Sequence, residues 1–367
     1  MSKTNWRHFD FWLLGAVALM TIFGITMIRS AVAGNIELER TNIVQRQLIF
    51  AVLGFIVIFA VTIIDYHLWA SISRPMYIVT AIFLGALTIA GQAIYGSARW
   101  FDTGVILIQP SELAKIVVIL VLSDYFTRNI DKLEHISWIG RSLVYTLGIV
   151  VWIILQPNLS TSLVILAIWF ALLWASGLKL KYLAIFGGLG LVLPFAAFPL
   201  LADYQQQRIL NFIISDPNAT QGETYNINQA LISIGSGGWL GKGYNQGTQV
   251  HLRFLKVRWS DFIFSATAEE FGFIGSVIIM LLLIFIIYRC LRAARLARDT
   301  FGALICYGVA MLLAFQGFVN IGVNLKLLPA TGLPLPFISY GGSSLLSLLL
   351  GVGLVESVIL RHKALEF

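Results

Sequence analysis

Asp261 stands in the stretch RWSDFIFSATAEEFG, residues 258–272, where a polar segment runs into an apolar one. A lone carboxylate partly sheltered from water gains proton affinity and can serve as a general base. An aspartate at a helix start is otherwise a cap. If a helix begins here, Ser265 and Glu269 follow at i+4 and i+8 on the face of Asp261. Glu269 and Glu270 lie about two turns deeper, and each is expected to pair with a Lys or Arg from another helix. A second group is QPSELAK, 109–115. Pro110 suits a first helical turn, Glu112 sits beside its positive dipole end, and Lys115 shares the face of Glu112. That pair reads either as a buried ion pair locking two helices or as a cation aimed at an anionic substrate. Arg99, in GSARWF, is an interfacial anchor or a phosphate fork, because guanidinium geometry matches phosphate oxygens.

The segment NLKLLPATGLPLPFISYGGSS, 324–344, cannot form a continuous helix, with Pro329, Pro334, Pro336, Gly332, Gly341 and Gly342 in it. Broken backbone at membrane depth persists where protein or a wet cavity satisfies it. It reads as a re-entrant lining with Ser339, Ser343 and Ser344 as candidate donors; a long loop is the alternative. There is no glycine-rich nucleotide loop, no zinc-type His cluster and no Ser–His nucleophile pair. The chemistry that fits is transfer involving a lipid-linked phosphate, without ATP-driven work.

The elements that must position these residues are membrane spans. Of 367 residues, 58% are hydrophobic and 12% charged, about half the charged share of a soluble domain. The expected fold class is an all-α polytopic membrane protein of about ten transmembrane helices, at 9–31, 47–65, 76–95, 112–126, 142–157, 160–177, 181–202, 263–288, 303–324 and 343–360. The whole of 1–367 forms a single transmembrane domain, with a long extracytoplasmic loop, 203–262, between the seventh and eighth spans. The apolar residues Ile227, Leu231, Ile234, Trp239 and Leu240 predict short amphipathic helices in that loop. The N-terminal run lacks a cleavage site and is expected to remain as an anchor.

Net charge is +7. The cations lie in loops between apolar spans, so they orient the chain in a bilayer and do not point to nucleic acid. With the termini cytoplasmic, fourteen Lys and Arg fall in inner segments and five in short outer ones: Arg29, Arg40, Arg46, Arg99 and Lys326. The cluster RCLRAARLAR, 289–298, dominates that asymmetry. Cys290 and Cys306 lack metal-site spacing and read as free thiols. No internal repeat is visible, which counts against transporters built from duplicated halves.

QPSELAK, SIGSGGWLGKG (233–243), QGTQ (246–249), DFIFSATAEE (261–270) and LPATGLPLPFISYGGSS (328–344) closely resemble the SEDS proteins (shape, elongation, division and sporulation). The resemblance runs from the first span to the last, and QGTQ and AEE look more like the elongation members than the division members. It implies a peptidoglycan glycosyltransferase in the bacterial cytoplasmic membrane, joining lipid II units into β-1,4-linked glycan at the outer leaflet and releasing undecaprenyl pyrophosphate. A class B penicillin-binding protein is the implied partner, supplying the transpeptidase. Asp261 matches the family's essential aspartate, with the implied role of general base in an inverting displacement. The substrate-binding candidates are Arg99, Lys115, Arg208 and Lys242 for the pyrophosphate, with Glu112 and Ser343 beside them. No motif requires a cofactor or metal, and a divalent cation such as Mg²⁺ is left open. The sequence departs from the family at QPNLST, 156–161, where QPDLGT is usual, so no site role is assigned to Asn158 or Ser160. Lys326 stands where glycine is usual among the elongation members. The alternatives are a division-type polymerase and a transporter or flippase for lipid-linked sugars; a scaffold would leave the buried charges unexplained.

Overall fold

The computed structural model describes residues 8–34, 41–90, 100–102, 107–130, 136–179, 181–182, 184–188, 190, 198–214 and 222–362. The chain is an integral membrane protein built from helices. The long elements are α1 (Phe11–Val32), α2 (Ile43–Ile63), α3 (Tyr66–Ala90), α4 (Pro110–Arg128), α5 (Ile136–Leu155) and α6 (Leu159–Ala175). The loop helices α7 (Asp203–Ile213), α8 (Gly222–Gly237) and α9 (Thr248–His251) follow. The last three spans are α10 (Ile263–Leu296), α11 (Thr300–Asn324) and α12 (Gly342–Leu360).

Among the described residues seven helices are long and apolar enough to cross a bilayer, and α6 is a shorter apolar helix. Helix α4 carries Glu112, Lys115, Asp124 and Arg128 and is buried along most of its length; the first three are enclosed by protein, and the exposed Arg128 at its end pairs with Asp124. These nine correspond to nine of the ten expected spans. Within the remaining one, 181–202, residues 181–182, 184–188 and 190 are helical and Phe198–Leu200 forms a 3-10 turn; 183, 189 and 191–197 lie outside the described residues. Outward faces are apolar, as at Val79 and Ile89, while 89% of the apolar window of α12 is enclosed by neighbours. The solvent for those outward faces is lipid.

Two helix boundaries depart most from the expectation, and a short strand pair is added. Helix α3 begins at Tyr66, ten residues before the expected start, with Pro75 inside it. A two-residue antiparallel pair, Phe101–Asp102 against Leu107–Ile108, precedes α4. Helix α10 continues through RCLRAARL to Leu296, because long basic side chains can remain helical while their heads reach polar partners. Arg289 Nε donates to Asp10 Oδ2 at 2.7 Å.

The glycine-rich segment of the outer loop is not a linker. Gly272 breaks α10 with φ 67° and ψ −164°, a backbone that only glycine adopts without strain. The freed groups pair with the loop: Phe273 N donates to Gly238 O at 2.8 Å and Ile274 N to Trp239 O at 3.2 Å. Lys242 N and Gly243 N donate back to Glu269 O and Glu270 O. A side chain at 272 would begin 2.4 Å from Gly241 N. The loop 238–243 is thus stitched to the start of α10.

Candidate active site

Asp261 lies in the turn just before α10, and that helix has no side-chain cap. Asp261 is therefore not the cap that its position suggested. Ser265, expected on its face, instead donates to Asn324 Oδ1 at 2.6 Å.

The backbone around Asp261 is fixed at three consecutive carbonyls. Trp259 O accepts from Tyr340 N at 2.9 Å. Ser260 O accepts from Ser339 Oγ at 2.8 Å. Asp261 O accepts from the amides of Asn320 and Asn324, both at 3.0 Å. Upstream, the buried Arg258 donates from Nε to Ala31 O at 2.6 Å, tying the turn to the end of α1. Two adjacent residues of the broken segment and two helices thereby hold one turn, which is the rigidity a catalytic group needs.

Its carboxylate is left open on one side. Oδ1 accepts from Ser260 Oγ at 2.9 Å, while no hydrogen bond to Oδ2 is formed among the described residues. Gly332, with φ +72°, lies opposite, and a Cβ there would sit 3.7 Å from Oδ2. Glycine keeps that approach clear. Thr331, next to it, accepts from Ser160 Oγ at the start of α6, so PATG is anchored to QPNLST. Asn158 caps α6 through Thr161 N at 3.3 Å.

Asp261 is half-buried, and desolvation pushes its pKa above the ordinary carboxylate value, opposed by the Ser260 hydrogen bond and the charge of Arg208. Arg208, on α7, pairs through Nε with Glu223 Oε1 of α8 at 2.7 Å. Glu223 is likewise pushed up by desolvation, partly offset by Arg208 and reinforced by Asp261. Two carboxylates and one guanidinium thus form an electrostatic unit at the mouth of the bundle. An ionised base is needed for proton removal, so a raised pKa predicts an acid limb of kcat/KM above the ordinary carboxylate range near about 3.9. Arg208→Gln removes the cation that favours the charged form and should move that limb to higher pH. A limb that stays in place in the pH profile would separate Arg208 from Asp261.

The other candidates lie elsewhere. Lys115 Nζ donates to Glu112 Oε2 at 2.6 Å, with the lysine 0% exposed. Lys242 Nζ donates to Glu269 Oε1 at 2.7 Å. That carboxylate also accepts from Thr248 Oγ1 and from the backbone of Gln249 and Val250. Each lysine is already paired with a carboxylate that offsets its charge, with donor capacity left on the ammonium. Glu269 thus has a cationic partner, though from the loop 238–243 and not from another helix; Glu270 has none among the described residues and accepts from Ser30 Oγ and Asn245 N instead. Ser343 Oγ accepts from Gln109 N at 3.0 Å and donates to Leu107 O, joining α12 to the start of α4. Lys326 Nζ donates to Asn228 Oδ1 at 3.2 Å. Arg99 lies outside the described residues. Among the described residues no three His, Cys, Asp or Glu side chains group as metal ligands.

Sequence reasoning missed Glu223, Asn320 and Asn324. The two asparagines carried a signal: amides four residues apart in an apolar span share one face and need partners.

The FtsW/RodA/SpoVE cell cycle protein family matches residues 11–364. The chain belongs to this family. The peptidoglycan glycosyltransferase MrdB of Escherichia coli (strain K12) is 34% identical over 372 residues, covering 99% of this chain and 97% of that one. A probable peptidoglycan glycosyltransferase FtsW of Geobacter metallireducens is 35% identical over 360 residues, covering 96% and 94%. Rod shape determining protein RodA of Thermus thermophilus superposes with a TM-score of 0.71 at 29% identity, covering 97% and 98%. A chain from a peptidoglycan synthase complex that coordinates polymerization and crosslinking superposes with a TM-score of 0.80 at 29% identity, covering 96% and 98%. The family read from the motifs is borne out along the full chain. Identities of 34% and 35% to differently named members do not separate elongation from division.

Proposed function

We propose that this chain is a peptidoglycan glycosyltransferase that polymerises lipid II at the outer face of the bacterial cytoplasmic membrane, with Asp261 as general base. The observation that carries the reading is Asp261 itself: three anchored carbonyls hold it, Oδ2 is left open, and it stands at the mouth of the bundle in a chain of this family. The acceptor's GlcNAc 4-hydroxyl attacks C1 of the donor MurNAc, its proton passes to Asp261 Oδ2, and the C1–O bond to pyrophosphate breaks. A single displacement turns the α-linked donor into a β-1,4 bond, without a covalent intermediate. The pyrophosphate leaves with its negative charge, so a nearby cation matters more than a general acid; Arg208 is the cation whose field reaches Asp261.

A transporter would put the intramembrane charges Lys115, Glu269 and Glu270 to use along a path. Each has a fixed partner, which favours a rigid scaffold over a translocation path. QGTQ and AEE favour elongation over division, and the complex-forming relative favours a class B penicillin-binding protein as partner.

The reading requires Asp261 to face away from the cytoplasm, with both termini inside. Leu252→Cys, on the exposed outer loop, should react with a membrane-impermeant maleimide in spheroplasts, and Arg298→Cys should react only after lysis. Cys290 and Cys306 are buried and give little background. The reversed pattern would place the site on the wrong side for lipid II polymerisation.

A further inference from the structure

At the end of the bundle opposite Asp261, a cavity of about 330 Å³ lies between the start of α1 and the ends of α10 and α12. Its polar lining is His8, Asp10, Arg289, Arg292 and His362, and Phe11, Trp12 and Leu296 form its apolar side. The polymerisation reading gives this site no task.

Its two arginines are unequally engaged, and the buried Glu356 beside it keeps Oε1 without a hydrogen-bond partner among the described residues. Asp10 is consumed: it receives Arg289 Nε at 2.7 Å, and its other oxygen caps α1 through Leu13 N. The buried Glu356 nearby is occupied through Oε2 by Asp10 N at 3.0 Å. Arg292 is exposed and makes no ion pair among the described residues. The rings of His8 and His362 meet edge-on at 4.8 Å, closing one wall with nitrogen-bearing rings. Guanidinium with imidazole is a donor set for phosphate oxygens. Phe11 and Trp12 are 66% and 74% exposed, in the position of interfacial aromatics at headgroup level. A basic recess between helix ends, open to acyl chains on one side, suits an anionic headgroup.

We propose that this pocket binds a phosphate-bearing anion, with Arg292 as its principal cation and the headgroup of an anionic lipid as the source that the aromatic wall favours. The proposal stands apart from the chemistry at Asp261. The test is native mass spectrometry of the full-length chain titrated with phosphatidylglycerol, with and without millimolar inorganic phosphate. Arg292→Glu should weaken retention roughly tenfold or more. Arg74→Glu, an exposed basic position outside the pocket, should leave it unchanged. Retention that survives inorganic phosphate assigns the lipid, and displacement by it assigns a soluble phosphate to the same pocket. Equal retention by wild type and Arg292→Glu, or equal loss in both variants, would overturn the proposal.

Discussion

Asp261→Asn should lower lipid II polymerisation by about 10²–10⁴, the usual worth of general-base help to a weakly acidic hydroxyl. The asparagine keeps the shape and can still accept from Ser260 Oγ, but its amide cannot take the acceptor's proton. The anchors of the turn are backbone carbonyls, so the variant should fold, insert and retain lipid II as wild type does. Asp261→Glu should recover little, because about one methylene of displacement misplaces the base, and an error near 1 Å can cost on the order of a hundredfold. Polymer yield at matched folded protein is the readout. Near-normal polymer from Asp261→Asn would make Asp261 structural and move the search for the base to Glu223, the other carboxylate in the same electrostatic unit.

Lys115→Met should be the most destabilising of the single substitutions considered. It leaves Glu112, 4% exposed, without its partner, and breaking a buried pair from one side typically costs about 3–5 kcal/mol. The paired change Glu112→Gln with Lys115→Met removes both charges at similar volume and should regain most of that loss. A thermal midpoint series in one detergent measures it. The double variant should also polymerise lipid II near the wild-type rate, since the structure commits Lys115 Nζ to Glu112. A stable but inactive double variant would return Lys115 to the pyrophosphate.

Much of this architecture was legible because lipid imposes a strong signal. Spans appear as apolar runs of fixed length, and the broken segment 324–344 declared itself through its prolines and glycines. The boundary errors share one cause. Hydropathy marks where lipid ends and not where hydrogen bonding ends, so the helical extension through Arg289 and Arg292 was read as loop.

At the site, Asp261 stood out because a carboxylate at the edge of an apolar run is costly. What held it did not, since Tyr340, Ser339, Asn320 and Asn324 lie between 59 and 79 residues away in sequence. Local spacing also suggested the wrong neighbour for Ser265, and the cost of a buried charge suggested a cation for Glu270 where a hydroxyl and a backbone amide serve. Those were settled by α11 and by the end of α1, contacts that periodicity along α10 cannot encode. The charge of Arg208 acts on Asp261 while its guanidinium pairs with Glu223 on a separate loop helix, and only the folded loop brings the three together.

Glycosidic bond formation is measured directly on a gel of products from purified full-length protein and lipid II, with and without a class B penicillin-binding protein. A ladder of glycan strands whose β-1,4 bonds a muramidase cleaves is expected, absent with Asp261→Asn and stronger with the penicillin-binding protein than without it. Unreacted lipid II under those conditions, with its transfer across a vesicle membrane accelerated by the same protein, would contradict polymerisation by this chain.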